Sequence, residues 1–210
     1  MNLRELNVDQ FLEEFSSKSP APGGGSAASA SGALGVALVM MVAKQTQGKK
    51  TYSRYEAQIE ELLGKLTQIQ IELANNIEKD AGAINSIREA MSLPDFQMAE
   101  RLEKREVMDT SLKGATLVPA EVMTLCMNAL NAIEKDMDKL NFTARSTIAT
   151  ASILLSAGMR AAYLNVLENT KNIMDEKFVS QHKKQALDTL TLGDSVHNRI
   201  YAFCLNDMRG

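Results

Sequence analysis

Residues 24 to 43, GGSAASASGALGVALVMMVA, carry no charge, and their first half is built of Gly, Ala and Ser. A helix without a polar face has two homes, the centre of a bundle or a membrane. The weakly apolar first half, and the lack of aromatic or basic anchors at both ends, argue against a span. In the remaining reading Ala28, Gly32, Gly35 and Val39 share one face, where small residues let a second backbone come close. Each interior glycine costs about 1 kcal/mol against alanine, so two of them imply a packing or site reason.

The rest of the chain reads as helix. Asn7 with Gln10 three residues on forms a capping box for a short helix through Phe15. Pro20 and Pro22 force an extended connection. Ser26 is the expected N-cap of a helix to Gln47, which Gly48 ends. Ile59, Leu62, Leu66, Ile69, Leu73, Ile77, Ile84, Ile87 and Met91 trace one stripe from about residue 52 to 91, straight unless kinked near Gly64 or Gly82. Further helices are predicted over 96–116, 119–140 with Pro119 in the first turn, 144–171 and 175–207. No stretch alternates with period two for long enough to be a strand. The expected fold is all-α: one domain over residues 1–210, a bundle of long, mostly antiparallel helices.

Several functions are disfavoured. A net charge of −3 and a pI of about 5.5 provide no basic face for nucleic acid. Cys126 and Cys204 lie in apolar segments without CxxC spacing, as small core residues of a reducing compartment do. The acidic, amphipathic start is no signal peptide, so the cytoplasm is expected, without a membrane partner. The GGGS loop lacks the Lys-Ser/Thr of a P-loop, and His182 and His197 have no companions of metal-site spacing, so no metal is expected.

Three features break the apolar pattern. Asp80 sits on the stripe of the longest helix, in phase with Leu73, Ile77, Ile84 and Ile87. A carboxylate there is either paired with a cation from a neighbouring helix or held with a raised pKa, suited to proton transfer. Asn165 and Asn169 share a face with Ala151, Leu155, Gly158 and Ala162, where they either read a heterocycle edge or cross-link helices. Lys49, Lys50 and Arg54 form a basic junction, open to a carboxylate-rich tail or simply solvated.

Taken together, SKSPAPGGGSAASASGALGVALVMMVAK, GKKTY, DAGAI, ATLVP and NVLEN, in that order from about Leu6 to Ile200, resemble the formiminotetrahydrofolate cyclodeaminase family. The resemblance implies an all-helical homodimer binding a tetrahydrofolate derivative, with or without a polyglutamate tail, in a cleft near the subunit interface. It implies chemistry at the N5/N10 bridge with no cofactor. Either 5-formiminotetrahydrofolate closes to the 5,10-methenyl form with loss of ammonia, or the methenyl form is hydrolysed to 10-formyltetrahydrofolate. The ammonia-releasing role would need a separate formiminotransferase. By the same resemblance Asp80 is the proton shuttle. Pro22, Gly23, Gly24, Gly25, Ser26, Lys49, Lys50, Asn141, Ser146, Asn165 and Asn169 then bind substrate.

The sequence departs from the family pattern Gly-Asn-x-x-x-x-Ser-Asp, having Leu140, Asn141, Ser146 and Thr147. Ile84 stands where the family commonly has an aromatic. The lost carboxylate is the feature that favours the alternative, a catalytically inactive folate-binding or protein-interaction bundle.

Overall fold

A computed structural model describes residues 2–209, and six long helices account for most of them. Helix α1 (Val8–Ser16) starts at the expected capping box: Asn7 Oδ1 accepts the Gln10 N–H at 2.9 Å, and Gln10 Oε1 accepts the Asn7 N–H at 3.2 Å. Helix α2 (Gly24–Thr46) follows the glycine loop. Gly48 then turns the chain at φ +73°, a left-handed conformation that glycine adopts without a Cβ penalty.

Helix α2 is the centre of the bundle, packed against α3 (Glu56–Ser92), α4 (Met98–Asp136) and α5 (Arg145–Asn169). The small residues do what their spacing suggests. A Cβ on Gly35 would lie 2.9 Å from the Ala151 carbonyl, and one on Gly158 would lie 2.8 Å from the Ala28 carbonyl. At that crossing the backbones touch, and Ser31 Oγ donates to the Leu154 carbonyl at 2.8 Å. Helix α6 (Glu176–Arg209) closes the bundle over α4 and α5. Val36, Leu66, Leu73, Leu130, Ile133 and Ile148 are buried completely; truncating such a side chain to alanine costs about 2–5 kcal/mol.

Two expectations are corrected. The break expected between residues 116 and 119 is absent: α4 runs unbroken with Pro119 in its interior. Proline has no N–H for the carbonyl four residues back, so an interior proline normally breaks a helix. Here the amide of Asn169 donates to that carbonyl, Ala115 O, at 2.8 Å. Gly23, not Ser26, is the N-cap of α2; Ser26 lies in the first turn and is buried. Helix α3 also passes Gly64 and Gly82 without interruption.

By length and composition Gly24–Thr46, Met98–Lys139 and Phe142–Asn172 could each cross a membrane. About half of each apolar window (56%, 50% and 50%) is buried inside the bundle, where these helices form one another's core.

Candidate active site

The packing brings the start of α2, the second half of α3 and the end of α5 to one end of the bundle. Asp80 is 7% exposed there and faces the first turn of α2. Its Oδ2 accepts the Ser26 backbone N–H at 2.7 Å and the Ser26 hydroxyl at 2.9 Å. The same hydroxyl lies 3.0 Å from the Ile77 carbonyl, so its single proton is shared between two acceptors. The two bonds to Ser26, and the positive end of α2, favour the carboxylate.

Burial opposes them and is the larger effect, so Asp80 holds its proton to a higher pH than an ordinary carboxylate. Among the described residues it makes no ion pair. The reading of Asp80 as one half of a buried salt bridge therefore falls, and the reading as a buried acid with a raised pKa stands.

Gly25 is there because nothing larger fits beside this carboxylate, and Gly24 packs closely on Asn165. A Cβ on Gly25 would lie 2.0 Å from Asp80 Oδ1, and one on Gly24 would lie 3.3 Å from Asn165 Nδ2. Gly23, whose backbone carbonyl accepts the Ala27 N–H, stands near Ile84, and Pro22 is buried behind it. As first-turn residues, Gly24 and Gly25 have N–H groups with no intrahelical acceptor. The amide of Asn165 donates to the Ala161 carbonyl at 2.8 Å, and its Oδ1 accepts no hydrogen bond among the described residues. The centre thus assembles a raised-pKa acid, two open backbone donors and an amide oxygen. A cavity of about 310 Å³ is lined by Ala21 and Pro22 before the glycines and by Glu78, Ala81, Gly82 and Asn85 of α3; Asp80, Gly24, Gly25 and Asn165 are not among its lining residues.

Other expected residues lie elsewhere. Asn169 serves α4, as described. Lys49 and Lys50 are exposed at the far end of α2, about 30 Å away at 1.5 Å per residue. Asn141 is buried at that end: its N–H donates to Thr46 Oγ1 at 3.0 Å, and its Oδ1 accepts from Thr143. Ser146 is exposed on the first turn of α5, beside Thr147. Within one chain the structure does not bring these four to Asp80, because α2 is antiparallel to both α3 and α5. For the same reason the Thr147 departure does not touch the Asp80 centre of its own chain.

Within one helical turn of Gly25 and Asp80 lie two further buried polar residues that were not among the expected site residues. Ser29, one turn after Gly25, donates to the Gly25 carbonyl at 3.0 Å. Asn76, one turn before Asp80, is fully buried. The signal for Asn76 was available, since it shares the helical phase that singled out Asp80.

The family model described as formiminotransferase-cyclodeaminase matches residues 7–188. A methenyltetrahydrofolate cyclohydrolase of Methylorubrum extorquens is 33% identical over 194 residues, covering 92% of this chain and 93% of its own. The formimidoyltransferase-cyclodeaminase of Gallus gallus is 31% identical over 171 residues, 81% of this chain but 32% of its own. This chain therefore spans about a third of that bifunctional relative. A formiminotetrahydrofolate cyclodeaminase from Thermotoga maritima has the same fold, with a TM-score of 0.87 at 24% identity over 97% of this chain and 98% of that one.

Proposed function

This chain belongs to the formiminotransferase-cyclodeaminase family, and from that membership we propose a folate one-carbon enzyme acting at the N5/N10 bridge of tetrahydrofolate. Its leading reaction is hydrolysis of 5,10-methenyltetrahydrofolate to 10-formyltetrahydrofolate. Cyclisation of 5-formiminotetrahydrofolate with release of ammonia is the second. The cyclohydrolase relative matches nearly end to end, which favours the first order. The second is favoured by the bifunctional relatives, and here it would draw on a separate formiminotransferase.

The observation that carries the reading is Asp80, a buried carboxylate in no ion pair among the described residues, with a raised pKa. The methenyl bridge is an N5–C–N10 amidinium cation, so substrate supplies the positive charge that the protein does not place beside this group. Water adds to the bridge carbon while Asp80 takes its proton, giving a tetrahedral carbon bonded to N5, N10 and OH. The C–N5 bond then breaks as Asp80 returns the proton to N5, the hydroxyl oxygen closes to C=O and releases its own proton to solvent, and the formyl group stays on N10. In the other reaction N10 attacks the formimino carbon, and the proton goes to the departing ammonia. The N–H groups of Gly24 and Gly25 and the Asn165 oxygen orient the pterin. These steps draw on one side-chain acid, an amide oxygen and backbone N–H groups, and call for no cofactor.

The same reading includes a single-domain cytoplasmic protein that works as a homodimer. An apolar face supports the pairing: Val8 and Leu12 on α1, and Leu34 and Met41 on α2, are 73%, 59%, 57% and 41% exposed. A two-fold pairing along α2 sets the start of one helix against the end of its copy. By that route Lys49, Lys50, Asn141 and Ser146 of one copy reach the Asp80 centre of the other, with the two lysines meeting a polyglutamate tail.

The test is to give the purified protein 5,10-methenyltetrahydrofolate and follow loss of its chromophore. In parallel, 5-formiminotetrahydrofolate is supplied and ammonia is measured. Turnover of the methenyl substrate is expected to be the faster. Turnover of neither, with folate still raising the melting temperature, would instead identify a catalytically inactive binder.

A further inference from the structure

Asn76 lies on α3 one turn before Asp80, and its side chain is wholly buried. Its Nδ2 donates to the Glu72 carbonyl at 2.9 Å, which fixes the orientation of the amide, since the flipped form would set oxygen against oxygen. Its Oδ1 is buried and accepts no hydrogen bond among the described residues. The buried hydroxyls of Ser29 and Thr116 each spend their single proton elsewhere, on Gly25 O and Leu112 O. A buried acceptor left without a donor is costly, and native proteins rarely keep one.

Asp80 presents the complementary shortage. As a carboxylate its Oδ2 is served by Ser26, but the protonated acid becomes a donor and needs an acceptor. Residues four apart on a helix are neighbours, and helical side chains lean toward the N-terminus, so Asp80 leans over the turn that carries Asn76. We propose that Asn76 is a positioning residue whose Oδ1 accepts the hydrogen bond of the Asp80 carboxylic O–H, holding the acid in place between its two proton transfers. Fully buried, Asn76 does not touch substrate and acts only through Asp80.

The charged groups around this pair are occupied elsewhere. Helix α2 has none before Lys44. On α3, Glu78 accepts the Arg4 N–H, and Lys79 pairs with Glu121 of α4. On α4, Lys113 pairs with Asp109 and Asp175. On α5, Arg160 pairs with Asp194 and Glu168 with Lys171. Glu14 of α1 lines the neighbouring cavity with Glu78. No charged group contributes to the shift of Asp80, which burial raises and the Ser26 bonds oppose.

The experiment titrates protein labelled with ¹³C at the Asp and Asn side-chain carbonyls, wild type beside Asn76→Leu. An acceptor for the neutral acid raises a carboxyl pKa. Asn76→Leu is therefore expected to lower the Asp80 midpoint by about one pH unit. A midpoint unchanged or raised, as the more apolar leucine alone would produce, overturns the proposal. In the wild type the Asn76 carbonyl signal should move with the Asp80 midpoint, and a signal flat across that midpoint overturns it also. The second arm needs no variant, so it decides even if Asn76→Leu does not fold. Neither arm requires turnover, which separates this inference from the proposed reaction. The reaction enters only in the added expectation that Asn76→Leu lowers kcat with little change in KM.

Discussion

The side-chain amide of Asn169 donates to the Ala115 carbonyl at 2.8 Å, the carbonyl that Pro119 leaves without its helical partner. One residue at the end of α5 thus keeps α4 whole. The end of α5 that carries Asn165 is thereby fixed against a helix able to continue past its proline.

Asn169→Ala is expected to cost about 1–3 kcal/mol, the penalty for leaving a buried carbonyl unpaired. With Pro119→Ala in place, the backbone N–H of residue 119 supplies the bond, and Asn169→Ala should cost much less. Denaturant unfolding of the four proteins measures the coupling. Equal costs in both backgrounds would show that the amide does not serve that carbonyl.

Asp80→Asn should leave the protein more stable than wild type near neutral pH. Burial raises the folded pKa of Asp80 above its unfolded value, so the folded state holds the proton where the unfolded chain has lost it. The contribution of this group is fully present below the unfolded carboxylate pKa and is lost as pH rises through the folded value. The gain in melting temperature from Asp80→Asn should therefore grow with pH across that window, with little difference at low pH.

Gly25→Ala sets a methyl group where Asp80 Oδ1 now lies, 2.0 Å away by ideal geometry. The short aspartate side chain has no flexible end to yield, so the carboxylate must move. Displacement of about 1 Å at a reacting group lowers kcat by roughly 100-fold. Far-ultraviolet circular dichroism should show the helices retained, and steady-state kinetics the loss in kcat.

Mixing tests the two-copy site. Asp80→Asn, and Lys49→Ala with Lys50→Ala, damage opposite ends of the bundle. Each preparation alone should be impaired. Co-refolded in equal amounts, they should recover about a quarter of wild-type activity, because half of the dimers then carry one intact site. No recovery would mean that each chain works alone or that the lysines play no part.

Much of this was legible in the sequence, because helices declare themselves locally. The capping box at Asn7 and Gln10, the turn at Gly48 and the glycine face of α2 all follow from neighbours within a few residues. Asp80 was legible too, as a charge in phase with leucines and isoleucines. What escaped depends on distant partners. The continuity of α4 through Pro119 rests on Asn169; a helix cross-link was one of its two sequence readings, but the carbonyl it serves was not legible. The distance of Lys49, Lys50, Asn141 and Ser146 from Asp80 follows from the antiparallel order of α2, α3 and α5, which no motif reports. The N-cap of α2 was misplaced because Ser26 is a good capping residue with a stronger use, the carboxylate of Asp80.

The most direct measurement of the central claim is the pH dependence of methenyl chromophore loss for wild type and Asp80→Asn. Wild type should turn over with a kcat that depends on a single group titrating above the ordinary carboxylate range. Asp80→Asn, folded and at least as stable, should lose nearly all turnover at every pH. An Asp80→Asn protein that retains wild-type kcat and the same pH profile would contradict the account, since the proton would then travel through another group.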